Sequence, residues 1–187
     1  MKRKVIALTG GIGSGKSVVA QFLREMGYQT VDCDALAKEI ADESEVIAAV
    51  ESLLGHECVS NGSINRAKVR ETVFTDGNLL KKYDEIFFGR VRQRLDEIVK
   101  QSFATVFVEI PIIDAFDFHF DEIWLVDCSK GTRIARVTER DGVSAENVEH
   151  IMNMQHYNRY TRVIPNDGSV ENLRQQVLLA LKNAQIV

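Results

Sequence analysis

With 187 residues, 45% of them hydrophobic and 27% charged, the chain has the material for one compact domain, or one domain with an inserted lobe, around a sizeable core. Its net charge of −4 argues against nucleic-acid binding through the overall field, although a local basic patch at a phosphate site would not show in the sum. Three cysteines, Cys33, Cys58 and Cys128, and four histidines, His56, His119, His150 and His156, lack metal-ligand spacing, which reads as reduced thiols and no structural zinc.

The chain opens on Met1-Lys2-Arg3-Lys4, like the basic start of a signal peptide, but the apolar run Val5-Ile6-Ala7-Leu8 is cut short by Thr9-Gly10-Gly11. No secretion and no membrane span are expected, and the predicted location is cytoplasmic. Directly after that run, Gly10, Gly15, Lys16 and Ser17 fit the pattern G-x-x-x-x-G-K-[ST]. Val18, Val19, Phe22, Leu23 and Met26 follow at helical spacing, closed by Gly27. This strand, loop and helix predict a polyphosphate cradle made by Gly10, Gly11, Ile12, Gly13, Ser14 and Gly15, with Lys16, Ser17 and Val18 opening the helix. Glycines let successive N–H groups turn inward, and the helix adds its positive N-terminal end. Lys16 would reach the β- and γ-phosphates of a nucleoside triphosphate, and the Ser17 hydroxyl would hold Mg²⁺. The alternative is an ordinary glycine-rich turn between a strand and a helix.

Residues 28–32 read as a short second strand ending in Asp32-Cys33-Asp34, with a helix starting near Ala35. Both carboxylates then lie at the carboxyl edge of the sheet, where open parallel sheets bind ligands. From Glu45 to about Gln101 the strand signal disappears and helical stripes take over, which marks an inserted lobe. A polar turn, Ser60-Asn61-Gly62-Ser63, divides the first helix of this lobe from Ile64 to Phe74, and a long amphipathic helix follows, with Arg90, Arg92 and Arg94 on its exposed side. Residues 105–110 read as a strand buried on both faces and closed by Glu109, as do residues 122–127, followed by a helix over 130–140. A last strand at 162–164 precedes Pro165-Asn166-Asp167-Gly168 and a C-terminal helix. Strands alternating with helices predict a doubly wound parallel sheet.

A kinase needs a carboxylate near the γ-phosphate to orient or deprotonate an acceptor hydroxyl, and Asp32 or Asp34 is placed for that, Asp34 being favoured. The competing role is capping of the helix near Ala35. Arg133, Arg136 and Arg140 recur along one helix side and could clamp a triphosphate; by their neighbours, Arg133 reads as a solvated residue and Arg140 as a functional one. Asp141-Gly142-Val143-Ser144 breaks the helix, and the short helices around it suit a lid or an ordinary helical hairpin. Glu109 is either a water-mediated Mg²⁺ contact or a strand-end residue facing solvent.

Several separated segments together resemble the dephospho-CoA kinases over nearly the whole chain. They are Leu8 to Ser17, Asp32-Cys33-Asp34-Ala35-Leu36-Ala37-Lys38, Asn61 to Arg66 with Val73-Phe74, Ile110-Pro111-Ile112-Ile113, Val126-Asp127-Cys128-Ser129, Arg136 with Arg140-Asp141-Gly142, Gln155, and Val163 to Gly168. The resemblance implies an α/β fold: a P-loop NTPase-type, doubly wound parallel sheet of about five strands with a helical substrate-binding insertion and a helical lid. It implies a nucleotide core over 1–44, 102–136 and 160–187, an acceptor lobe over 45–101 and a lid over 137–159. The implied reaction is ATP-dependent phosphorylation of the ribose 3′-hydroxyl of dephospho-CoA. In it Asp34 would be the base, Lys16 and Arg140 would stabilise the transferring group, and Ser17 and Glu109 would serve Mg²⁺. Arg136 and the Asn166 to Gly168 loop would bind the nucleotide, the loop lying against adenine. The chain departs from the family pattern at Phe88-Gly89, where a His-Pro pair is usual, at Asp114-Ala115, and at Tyr160-Thr161. A kinase of another hydroxyl or nucleotide acceptor and a non-catalytic nucleotide-binding module are the alternative readings. No membrane or nucleic-acid partner is expected, and nothing in the sequence sets an oligomeric state.

Overall fold

The computed structural model describes residues 3–74 and 76–186; Met1 and Lys2 of the basic N-terminal run, Thr75 and Val187 lie outside the described residues. In chain order the elements begin with β1 (Val5–Thr9), α1 (Lys16–Glu25), β2 (Gln29–Asp32), α2 (Cys33–Ile40) and α3 (Ser44–Leu54). A short hairpin of β3 (Val59–Ser60) and β4 (Ser63–Ile64) follows, then α4 (Arg66–Phe74) and α5 (Gly77–Gln101). The last part holds β5 (Val106–Glu109), β6 (Glu122–Asp127), α6 (Lys130–Asp141), α7 (Ala145–Asn153), β7 (Arg162–Pro165) and α8 (Val170–Asn183). These elements form two compact units. One comprises the residues up to Asp32 and from Gln101 onward; the other is Cys33–Lys100.

The first unit is built on a five-stranded sheet in the order β2-β5-β1-β6-β7, and every neighbouring pair is parallel. The apolar runs that read as strands buried on both faces occupy its centre: β1 and β5 are buried at every position, whereas the edge strands β2 and β7 bury one residue each, Val31 and Ile164. Ile6, Leu8, Phe107, Trp124, Val126 and Ile164 form one core with Val19, Phe22 and Leu23 of α1 and Leu173, Val177 and Leu181 of α8. The chain leaves β1 for β2 on one side of the sheet and returns through β5 to β6 on the other. That reversal of order beside β1 opens a crevice at the carboxyl ends of the strands, where the glycine-rich loop begins. Register aligns Leu8 with Glu109 and Glu109 with Asp32, so both carboxylates lie on the rim from which the loop starts.

At the opposite end of the sheet, Glu122 organises the charges. Its carboxylate accepts from Lys4 Nζ at 2.7 Å, Trp124 Nε1 at 2.8 Å and Arg162 at 3.3 Å, with its side chain only 14% exposed. Burial alone pushes this carboxyl up, yet the Lys4, Trp124 and Arg162 donors together hold it below its ordinary value of 4.5. Its contribution to stability is therefore complete above that value and is lost as pH falls through the lowered folded one. We expect Glu122→Gln to cost about 1–3 kcal/mol at neutral pH, because Lys4 and Arg162 lose their countercharge. Urea midpoints measured against pH would show the gap from wild type closing as the pH falls below 4.5.

In the second unit, the segment read as a polar turn is a hairpin. Val59 pairs with Ile64 and Ser60 with Ser63, while Asn61 and Gly62 carry φ of 52° and 74°. Those two positive φ values define the tight turn that Asn-Gly favours. Strands this short show no alternation, so only the turn was visible in sequence. Arg90, expected on an exposed side, instead donates through Nε to Glu43 Oε2 at 2.6 Å, and Arg94 reaches Glu43 Oε1 at 3.4 Å. The second unit thus ties the start of α3 to the middle of α5 through one carboxylate.

Candidate active site

The phosphate-loop pattern produces the local structure it requires. Gly10, Gly11, Ile12, Gly13 and Ser14 carry the chain from β1 to Gly15, which sits at the N-cap of α1 with φ 93° and ψ 17°. A side chain at Gly15 would be strained in that left-handed conformation and would also run into the Asn166 amide. Lys16, Ser17 and Val18 form the first turn of α1, so their N–H groups lie at the positive end of the helix.

Glu109 closes β5 and is buried, which removes the solvent-facing alternative for this residue. Its Oε1 accepts from the Ser17 hydroxyl at 2.7 Å and stands 3.8 Å from Lys16 Nζ. A buried carboxylate persists when paired and hydrogen-bonded, and here both requirements are met by the lysine and serine of the motif. Ser17 Oγ and the Glu109 oxygens are hard oxygen donors of the kind Mg²⁺ takes, so the residues present fit that ion.

Around the loop, α6 and the strand ends supply struts. Asn166 is buried, and its amide donates to the Ser14 carbonyl at 2.7 Å. Arg136 donates to the Asn166 carbonyl at 3.0 Å and reaches Cys128 Sγ at 3.6 Å. The Cys128 thiol in turn lies 3.8 Å from the Gly13 carbonyl, and burial pushes its pKa up, so it stays a thiol. Asp167 accepts from the Ser129 N–H at 2.9 Å and from the Thr132 hydroxyl at 2.8 Å. These bonds hold its carboxyl below the usual range and anchor the loop before α8 to the start of α6. Gly168 precedes the Ser169–Asn172 capping box of α8.

Arg133 and the start of α2 differ from expectation. Arg133, read as solvated, is half-buried: its Nε donates to the Ile12 carbonyl at 3.0 Å and a terminal nitrogen donates to Gln155 Oε1 at 3.1 Å. It faces the loop because Arg133 lies one helical turn before Arg136, and this side of α6 turns both toward the glycine-rich loop and the residues that follow β6 and β7. Arg140, by contrast, is 64% exposed and makes a two-pronged pair with its neighbour Asp141, both contacts at 2.7 Å. The helix near Ala35 begins two residues earlier, at Cys33, so Asp32 precedes α2 and Asp34 stands exposed in its first turn. Arg133, Gln155 and Cys128 are the loop contacts that sequence reasoning missed as site residues; the three-residue arginine spacing and the lone Gln after α7 were the available signals.

Within the second unit lies a cavity of about 370 Å³ lined by Lys38, Arg66, Arg70, Tyr83, Asp84, Phe87 and Phe88, together with aliphatic residues. Three cationic side chains and three aromatic rings in one wall suit a ligand that joins phosphate to a planar ring. Phe88, one of the departures from the family pattern, belongs to this wall. Burial pushes the Asp84 carboxyl up. Among the described residues no helix is long and apolar enough to cross a membrane.

The family model for dephospho-CoA kinase matches residues 4–174. A dephospho-CoA kinase of Streptococcus mutans is 32% identical, with 97% of this chain and 98% of that protein covered. One from Hydrogenovibrio crunogenus is 33% identical over 81% of each. A crystal structure from Thermus thermophilus, 33% identical, superposes over the full length of both chains with a TM-score of 0.85. In fold alone, a shikimate kinase from Bacteroides thetaiotaomicron at 13% identity also aligns, covering 97% of this chain and 98% of that one with a TM-score of 0.57.

Proposed function

The chain belongs to the dephospho-CoA kinase family, and from that premise we propose that it transfers the γ-phosphoryl group of ATP to the ribose 3′-hydroxyl of dephospho-CoA, giving CoA and ADP. The observation that carries this reading is the buried Glu109 carboxylate joined to Ser17 and Lys16 at the mouth of a glycine-rich loop, in a chain whose family acts on that acceptor. The loop amides and the N-terminal end of α1 receive the triphosphate, and Lys16 follows the charge that builds on the transferring group. Ser17 and Glu109 would hold Mg²⁺, which would supply positive charge against the phosphates. Asp34 takes or orients the acceptor proton, and Arg140 adds a second cation to the departing phosphates once it leaves Asp141.

The unit Cys33–Lys100 serves as the acceptor lobe and residues 137–159 as the lid. Support for the first assignment is the cavity with Lys38, Arg66 and Arg70, whose cations match a diphosphate and whose rings match a base. Release of ADP from ATP and Mg²⁺ upon adding dephospho-CoA is the direct test. Folded protein with no turnover would refute the assignment. Phe88 in the cavity wall favours a second reading, a related nucleotide-like acceptor. A screen of nucleosides, nucleotides and pantetheine derivatives separates the two, and strong preference for dephospho-CoA eliminates the second.

A further inference from the structure

Ile12 is gripped through both of its backbone groups. Its N–H donates to Gln155 Oε1 at 2.9 Å, its carbonyl accepts from Arg133 Nε at 3.0 Å, and the same arginine donates to the same Gln155 oxygen at 3.1 Å. The three contacts close a triangle. Both neighbours of the Gln155 amide are donors, so only its oxygen satisfies them, and one of the two is a cation, which strengthens the bond. Gln155 lies two residues beyond α7, so the triangle links the segment after that helix, and α6 through Arg133, to the first half of the phosphate loop.

Gly11 supplies an independent observation. Its backbone is outside the left-handed region, so conformation does not demand a glycine. A Cβ at this position would instead land on the Arg133 guanidinium, whose terminal nitrogen and Cζ would be its nearest neighbours and would have to move aside. The guanidinium lies across the Gly11 α-carbon.

We propose that Arg133 and Gln155 are positioning residues that lock Ile12, and with it the shape of the phosphate loop, and that Gly11 is glycine in order to seat Arg133. The proposal rests on the loop binding ATP. A glycine-rich segment released from these bonds samples many backbone states, and binding then has to order it, which weakens affinity for the triphosphate without touching the acceptor.

The test titrates a non-hydrolysable ATP analogue with Mg²⁺ by calorimetry, beside steady-state kinetics. Gln155→Ala and Arg133→Ala should each weaken analogue binding about tenfold, the loss of hydrogen bonds involving a charged donor. The KM for ATP should rise in parallel while that for dephospho-CoA stays unchanged. Gly11→Ala should cost about tenfold in the wild-type background but nearly nothing in the Arg133→Ala background, where the guanidinium it displaces is gone. Unchanged affinity in both alanine variants overturns the proposal. So does an equal cost of Gly11→Ala in the two backgrounds, which would mean that the glycine makes room for phosphate rather than for arginine. A wild-type protein that binds no analogue defeats the ATP reading itself, whereas tight wild-type binding with indifferent variants defeats only this inference.

Discussion

Asp34→Asn should slow phosphoryl transfer to dephospho-CoA about a thousandfold while leaving the affinity for ATP intact, the loss expected for removing a general base. The residue stands exposed in the first turn of α2, two positions past the end of β2. The last residue of β2, Asp32, is in register with Glu109 at the strand ends from which the phosphate loop starts. Asparagine keeps the size and the hydrogen-bonding reach of the side chain but cannot take a proton, so a purely structural role for Asp34 predicts a near-normal rate. Measurement of kcat beside calorimetric ATP binding decides the matter. A variant that turns over normally removes Asp34 from the mechanism and makes Asp32→Asn the next experiment. A variant that loses turnover while still binding ATP also eliminates the reading of this chain as a non-catalytic nucleotide module, since the wild type must then have had catalysis to lose.

Lys16→Met should reduce kcat by about 10²–10³-fold and, unlike the aspartate change, should also weaken ATP binding. Lys16 is mostly buried, and its ammonium sits 3.8 Å from Glu109, whose other contact is the Ser17 hydroxyl. Methionine preserves the packing of the stem and removes only the charge. The effect therefore reads the cation's part in holding the triphosphate and in stabilising charge as the bond breaks. Comparable kcat in Lys16→Met and wild type would mean that the backbone amides and Mg²⁺ suffice. The two variants together separate donor chemistry from acceptor chemistry: one loses rate and nucleotide affinity, the other rate alone.

Much of this molecule is written in local order. The run Val5 to Leu8 followed by Gly10 to Ser17 set the central strand, the turn and the helix that follows, because strand burial, left-handed glycine geometry and helix periodicity are each short-range consequences of residue type. The five parallel strands were legible for the same reason, from apolar runs separated by helical stripes. Boundaries were less so: α2 starts at Cys33, and the hairpin at Asn61-Gly62 is too short for its strands to announce themselves.

Roles that depend on what a side chain meets across the fold were decided only by the tertiary structure. Sequence spacing placed Arg133, Arg136 and Arg140 on one helix, yet the helix face alone does not tell which of them meets the loop. Packing sends Arg133 to Ile12 and Arg136 to Asn166 and leaves Arg140 outside with Asp141. Gln155 and Ile12 are separated by 143 positions, and their bond exists only because the fold brings the segment after α7 beside the glycine-rich loop. A hydrogen bond between distant residues has no signature in the intervening sequence, whereas a glycine that must turn and an apolar strand that must be buried carry theirs wherever they stand.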